Sequence, residues 1–152
     1  MFFKLKSRLR AFLAKQRTTS EPERTERALT MLRIIAGGFM IPHGISALTG
    51  GGQSMAVIAL TRNGFEPSSM AIWFIVFLEL IGGVCVLVGL FTRVFAAALA
   101  IEMLWVIRTF WSNRSDWDAG LWEFPLTMSI LMFAVALCGG GRWSLDRKLG
   151  MN

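Results

Sequence analysis

The chain has only two cysteines and one histidine among its 152 residues. Cys85 and Cys138 both fall in apolar segments and form no CxxC pair, so neither a disulfide framework nor a structural zinc site follows from them. They are read as packing residues, with a bridge between them left open. A single histidine leaves a bis-histidine haem without its second ligand unless another chain or a methionine supplies it. No metal site and no intrinsic cofactor are expected, and nothing points to flavin or nicotinamide binding. No nucleic-acid motif accompanies the basic residues. The first residues lack the uninterrupted apolar core of a secretory signal. The chain is also too short for a membrane domain plus a separate soluble catalytic domain.

What is present is apolar surface. Hydrophobic residues make up 54% of the chain and charged residues 17%, with a formal net charge of +6 and a mean hydropathy of +0.53. That balance is the mark of a small multi-pass membrane protein. The centre of the pattern is Met70 to Arg93, MAIWFIVFLELIGGVCVLVGLFTR. A bilayer core needs roughly 20 apolar residues to cross it. Three further runs qualify: Ala28 to Leu48, Val94 to Trp111, and Leu121 to the glycines 139–141. Residues 55–60 are too short to span and read as an interfacial or re-entrant helix.

Residues 1–17 set Phe2, Leu5, Leu9, Phe12 and Leu13 at helical spacing among Lys and Arg, the pattern of a basic amphipathic helix on an anionic lipid surface. Thr18 to Glu23 reads as a hinge, with Ser20 and Glu23 forming a capping box. The expected organisation is therefore a basic interfacial segment and hinge over 1–27, a membrane domain over 28–141 and a short basic tail over 142–152. Lys and Arg in the short loops place both termini on the cytoplasmic side. Trp73, Trp111, Trp117 and Trp122 fall together at the opposite interface, as a belt of aromatics should.

Charge inside the spans is the functional signal. An intramembrane carboxylate is costly, so it faces protein or water rather than lipid. At about 1.5 Å per residue, Glu79 and Glu102 come to similar depth near the midplane, with His43 in the outer half. Arg108 lies ~9 Å beyond Glu102, and Glu123 opens the fourth span. His43, Arg108 and Glu123 are expected to converge above the Glu79–Glu102 layer, while Arg33 stands alone near the inner side. Two acids at one depth invite a shared proton, since like charges in low dielectric cannot both ionise cheaply. The set could equally hold a quinone head group, or the buried charges could do no more than tie helices together. Gly37-Gly38 and Gly82-Gly83 read as close helix contacts.

Three blocks carry a family likeness: Arg33 through His43-Gly44; Glu79-x-x-Gly82-Gly83 leading to Gly89-Leu90-x-Thr92-Arg93; and Gly139-x-Gly141-Arg142-Trp143-Ser144-Leu145-Asp146. Together they resemble the DoxX family of small integral membrane proteins, over about residues 27–146. The resemblance implies an all-α, four-transmembrane-helix bundle in a bacterial inner membrane. It also implies association with quinone-linked oxidoreductase complexes, because the family is named from a relative of a terminal quinol oxidase. A lysine that often follows the histidine–glycine pair is replaced here by Ile45, Ser46, Ala47 and Leu48, so its role does not carry over. The reading is a redox-associated membrane subunit, with quinone as candidate ligand, redox proteins as partners, and self-association open. A non-catalytic scaffold or assembly subunit and a small proton-coupled transporter are the alternatives.

Overall fold

The computed structural model describes residues 2–49, 54–66, 70–111 and 120–151, with side chains described from Glu23 onward. Among these the chain is helical, without strands. The helices are α1 (Phe2–Leu48), α2 (Met55–Arg62), α3 (Met70–Phe77), a π-helical turn (Leu78–Gly82), α4 (Gly83–Val88), α5 (Thr92–Trp111), α6 (Glu123–Cys138) and α7 (Leu145–Lys148). Three stretches are long and apolar enough to cross a membrane: Glu23–Leu48, Met70–Val88 and Thr92–Trp111. Helix α6 is apolar but has 16 residues, about 24 Å of helix against the ~30 Å of a typical bilayer core.

The expected hinge at Thr18–Glu23 is not formed: α1 continues through Pro22 without a break. Residues 4–17 are rich in Leu, Ala, Lys and Arg, all good helix formers, and a capping serine starts a helix only where the preceding residues leave it. The face that the basic side chains of residues 1–22 present lies outside the described residues. So do the glycines 50–52, the loop at 112–119 and the belt residue Trp117. Of the other belt residues, Trp73 and Trp111 are exposed and Trp122 is half-buried.

One seam holds α1 to the second span. A Cβ on Gly37 would sit 2.5 Å from the Leu87 backbone nitrogen and 2.6 Å from the Gly83 carbonyl oxygen. Seven residues on, a Cβ on Gly44 would meet the Leu80 backbone nitrogen at 2.8 Å. The two helices touch backbone to backbone, which only small residues allow. Gly38 is different: its nearest neighbour would be a flexible Leu87 methyl at 3.8 Å. The core beside the seam draws Ala36 and Met40 from α1, Val86 from α4, Leu99 and Met103 from α5, and Met128 and Met132 from α6.

Helices α4 and α5 join through a tight turn, with Gly89 at φ 81° and Phe91 at φ 47°. A non-glycine residue with positive φ is strained and needs an outside hold. Asp146 supplies it from 55 residues downstream: its Oδ1 accepts from the Phe91 N–H at 2.6 Å. Its Oδ2 accepts from the Thr92 N–H at 2.9 Å and the Thr92 hydroxyl at 2.6 Å. The Asp146 N–H donates back to the Gly89 carbonyl at 2.8 Å. Arg33, expected to stand alone, is buried against this turn and donates from Nη2 to the Trp143 carbonyl at 3.3 Å. Spacing along α1 gave Arg33 its depth, but its partners come from the tail.

Two outcomes follow. Replacing Asp146 by Ala strands buried donors at the α5 N-terminus and should cost about 2–4 kcal/mol, read as a lower unfolding temperature in detergent. Gly37→Ala should destabilise by roughly 1–3 kcal/mol through the backbone clash, while Gly38→Ala should leave stability nearly unchanged.

Candidate functional site

Helix α2 explains how a polar site is built between the spans. Ser54 is its N-cap and accepts from the Val57 N–H at 3.4 Å. The same hydroxyl donates to Glu79 Oε1 at 2.7 Å. At the other end, the Asn63 amide donates to the Thr109 hydroxyl on α5 at 3.2 Å. Between them, Ala56 and Ala59 pack on Val106 and Phe110, and Leu60 packs with Ile72 and Val76. The helix thus starts level with Glu79, nine residues or about 13 Å into the second span, and climbs to the level of Thr109.

Glu79 lies in the π-helical turn, fully buried. A π turn adds a residue to one turn of helix and such turns recur at functional sites. Within it Glu79 and Gly82 are both buried. Glu102, on α5, is 5% exposed and lies within electrostatic reach of Glu79. Glu79 Oε2 and both Glu102 carboxyl oxygens have no hydrogen-bond partner among the described residues. Buried polar atoms are ordinarily paired. Three open oxygens in one interior layer are therefore the most distinctive chemistry in the structure: they can exchange protons or receive the polar end of a ligand.

The other expected members fall at different places. His43 is half-buried and stacks on Phe124 at the start of α6, with ring centroids 4.6 Å apart. Its neighbour Gly44 packs on Leu80, so His43 flanks the acid layer. Glu123 is exposed beside Gly120. Arg108 is exposed too, in an open groove with Asn63, Trp105 and Trp111. Arg108 and Glu123 are thus exposed where His43 is half-buried, with Glu123 next in sequence to the Phe124 that His43 stacks on. Spacing fixes height along a helix but also rotation: six residues from Glu102 is one and two-thirds turns, which points Arg108 about 120° away. Cys85 and Cys138 are both free thiols. Among the described residues no cluster of three or more His, Cys, Asp or Glu side chains could hold a metal.

Ser54 is the residue that sequence reasoning missed. Its signal was there, a serine immediately before an apolar helical run, but nothing local tells that a capping hydroxyl also donates to a distant acid. Ser54→Ala should lower stability by about 1–2 kcal/mol, since it leaves Glu79 with no donor. Glu102→Gln, which removes one of two facing acids at constant shape, should keep or raise the unfolding temperature. The opposite signs are measured in one detergent unfolding series.

The comparisons agree with this geometry at the level of family. The DoxX family model matches residues 28–112. The match covers α1 from Ala28 onward and runs through α5, and so includes His43, Ser54, Glu79 and Glu102. No curated protein and no solved structure matches the chain. With more than half of its length matched, the chain belongs to the DoxX family.

Proposed function

We propose that this chain is a four-span subunit of a quinone-linked oxidoreductase complex, in which the Glu79–Glu102 pair carries protons for quinone chemistry. In this reading α6 is the fourth crossing, and the Lys and Arg residues hold both termini on the cytoplasmic face of a bacterial inner membrane. The observation that carries the proposal is the buried carboxyl pair, with its three unpartnered oxygens midway along apolar spans. Reducing a quinone to a quinol takes two electrons and two protons. A redox group of a partner protein supplies the electrons, and the acid pair delivers the protons. His43, beside the same layer and stacked on Phe124, would hydrogen-bond a quinone carbonyl.

A second reading rests on α2. Secondary transporters also point half-helix N-termini at anionic groups in their interior, and intramembrane acids serve proton relays, so the same pair would serve a proton-coupled transporter.

The test is saturable quinone binding to purified protein in nanodiscs, comparing wild type with His43→Ala and Glu79→Gln. Binding in wild type that both substitutions lower at least about tenfold, with unfolding temperatures retained, is the expected result. A wild-type protein that binds no quinone overturns it. Proton flux in proteoliposomes, abolished by Glu102→Gln, would then establish the transporter reading.

A further inference from the structure

The two acids of the interior layer are not equivalent. Glu79 Oε1 accepts from the Ser54 hydroxyl at 2.7 Å, whereas both oxygens of Glu102 are buried without a hydrogen-bond partner among the described residues. The other use of the Ser54 hydroxyl fixes the direction of its bond. As N-cap of α2, its oxygen accepts from the Val57 N–H, and its single hydrogen is left to point at the Glu79 carboxyl group. Glu79 thus also sits one hydrogen bond from the N-terminus of α2, the end of a helix that favours negative charge.

No such donor reaches Glu102 among the described residues. The buried Ser129 hydroxyl on α6 approaches α5 two residues before it, but donates to the Ala100 carbonyl at 3.3 Å. His43 flanks the layer with its ring stacked on Phe124 and gives no hydrogen bond to the three open oxygens. Arg33 is bonded to the Trp143 carbonyl, Arg62 lies over the Phe110 ring at 5.4 Å, and Arg108 is exposed in its groove. A buried carboxyl group that no donor meets keeps its proton, while one that accepts a hydrogen bond gives its proton up more readily. The two acids also sense each other's charge, so ionising one opposes ionising the other.

We infer that the pair rests with a single proton, held by Glu102, and that Ser54 is the positioning residue that keeps Glu79 as the carboxylate. Glu102 is then the proton donor of the layer and Glu79 the acceptor. Use of that proton in quinone reduction rests on the proposed function. Its placement does not, and is read without quinone.

The experiment is infrared spectroscopy of the purified full-length protein at neutral pH, in a maltoside detergent that has no ester carbonyl to hide the C=O stretch of a protonated carboxyl group. Exchange into heavy water identifies that band by its downward shift. Wild type should show it, Glu102→Gln should abolish it and Glu79→Gln should retain it. Ser54→Ala takes the donor from Glu79 and should roughly double the band area as the second acid takes up a proton. Ser54→Thr keeps a hydroxyl and should restore the wild-type area. A serine that served only to cap α2 would leave the band unchanged. A wild type without the band, a band that survives Glu102→Gln or is lost in Glu79→Gln, or an area that Ser54→Ala does not change each overturns the assignment. Both glutamine variants keep the side-chain shape, so they locate the proton even where Ser54→Ala fails to fold.

Discussion

The backbone contact between α1 and the second span is the constraint on which the rest depends. Gly37 meets Gly83 and Leu87, and Gly44 meets Leu80. With no room for even one Cβ at these crossings, the two helices have a single register. That register puts Gly44 beside the π-helical turn, so the residue after His43 touches the residue after Glu79. Four residues below Gly37, it also puts Arg33 against the Gly89 turn. Polar groups on either side of the crossing thus take their positions from one apolar seam. The seam is built by removing side chains, because lipid tails exert no hydrophobic pressure that would drive helices together.

The acid layer is the structural exception within this frame. An interior carboxyl group is tolerated when other groups meet it, and Ser54 meets one of the four oxygens concerned. The device that brings Ser54 there is α2, a short helix that begins inside the protein rather than at its surface. Its capping hydroxyl works twice, closing the first turn of α2 and holding Glu79. Non-helical backbone at membrane depth is acceptable only where protein or water surrounds it, and Ser54, fully buried, meets that condition. The open oxygens of Glu102 and Glu79 are then a retained cost in stability.

Much of this was legible in the sequence, and the parts that were not share a cause. Helix positions follow from local apolar spacing, and the family resemblance from its blocks of residues. The same spacing fixes rotation as well as height, so Arg108, six residues beyond Glu102, shares its helix but faces away from it. Contacts between distant segments do not follow from it. The Gly89-Leu90-x-Thr92-Arg93 block and the tail block were both recognisable, yet neither says that Asp146 binds the turn or that Trp143 receives Arg33. The Ser20–Glu23 signature failed for the opposite reason: a local capping pattern was outweighed by helix-forming sequence on both sides.

The clamp of Asp146 on Phe91 and Thr92 also orders events in time. The turn between α4 and α5 is local, and ordinarily would close as soon as its residues left the ribosome. Here the acceptor that satisfies its Phe91 N–H lies 55 residues later, beyond α5 and α6. The turn closes part of itself locally, since the Gly89 and Leu90 N–H groups donate to the Cys85 carbonyl, but the Phe91 and Thr92 N–H groups take their acceptor from Asp146. It can lock only after two more helices have been made and the tail has folded back onto it. The α4–α5 corner is thus completed by a residue from beyond α5 and α6, and without Asp146 its Phe91 and Thr92 N–H groups lack this acceptor.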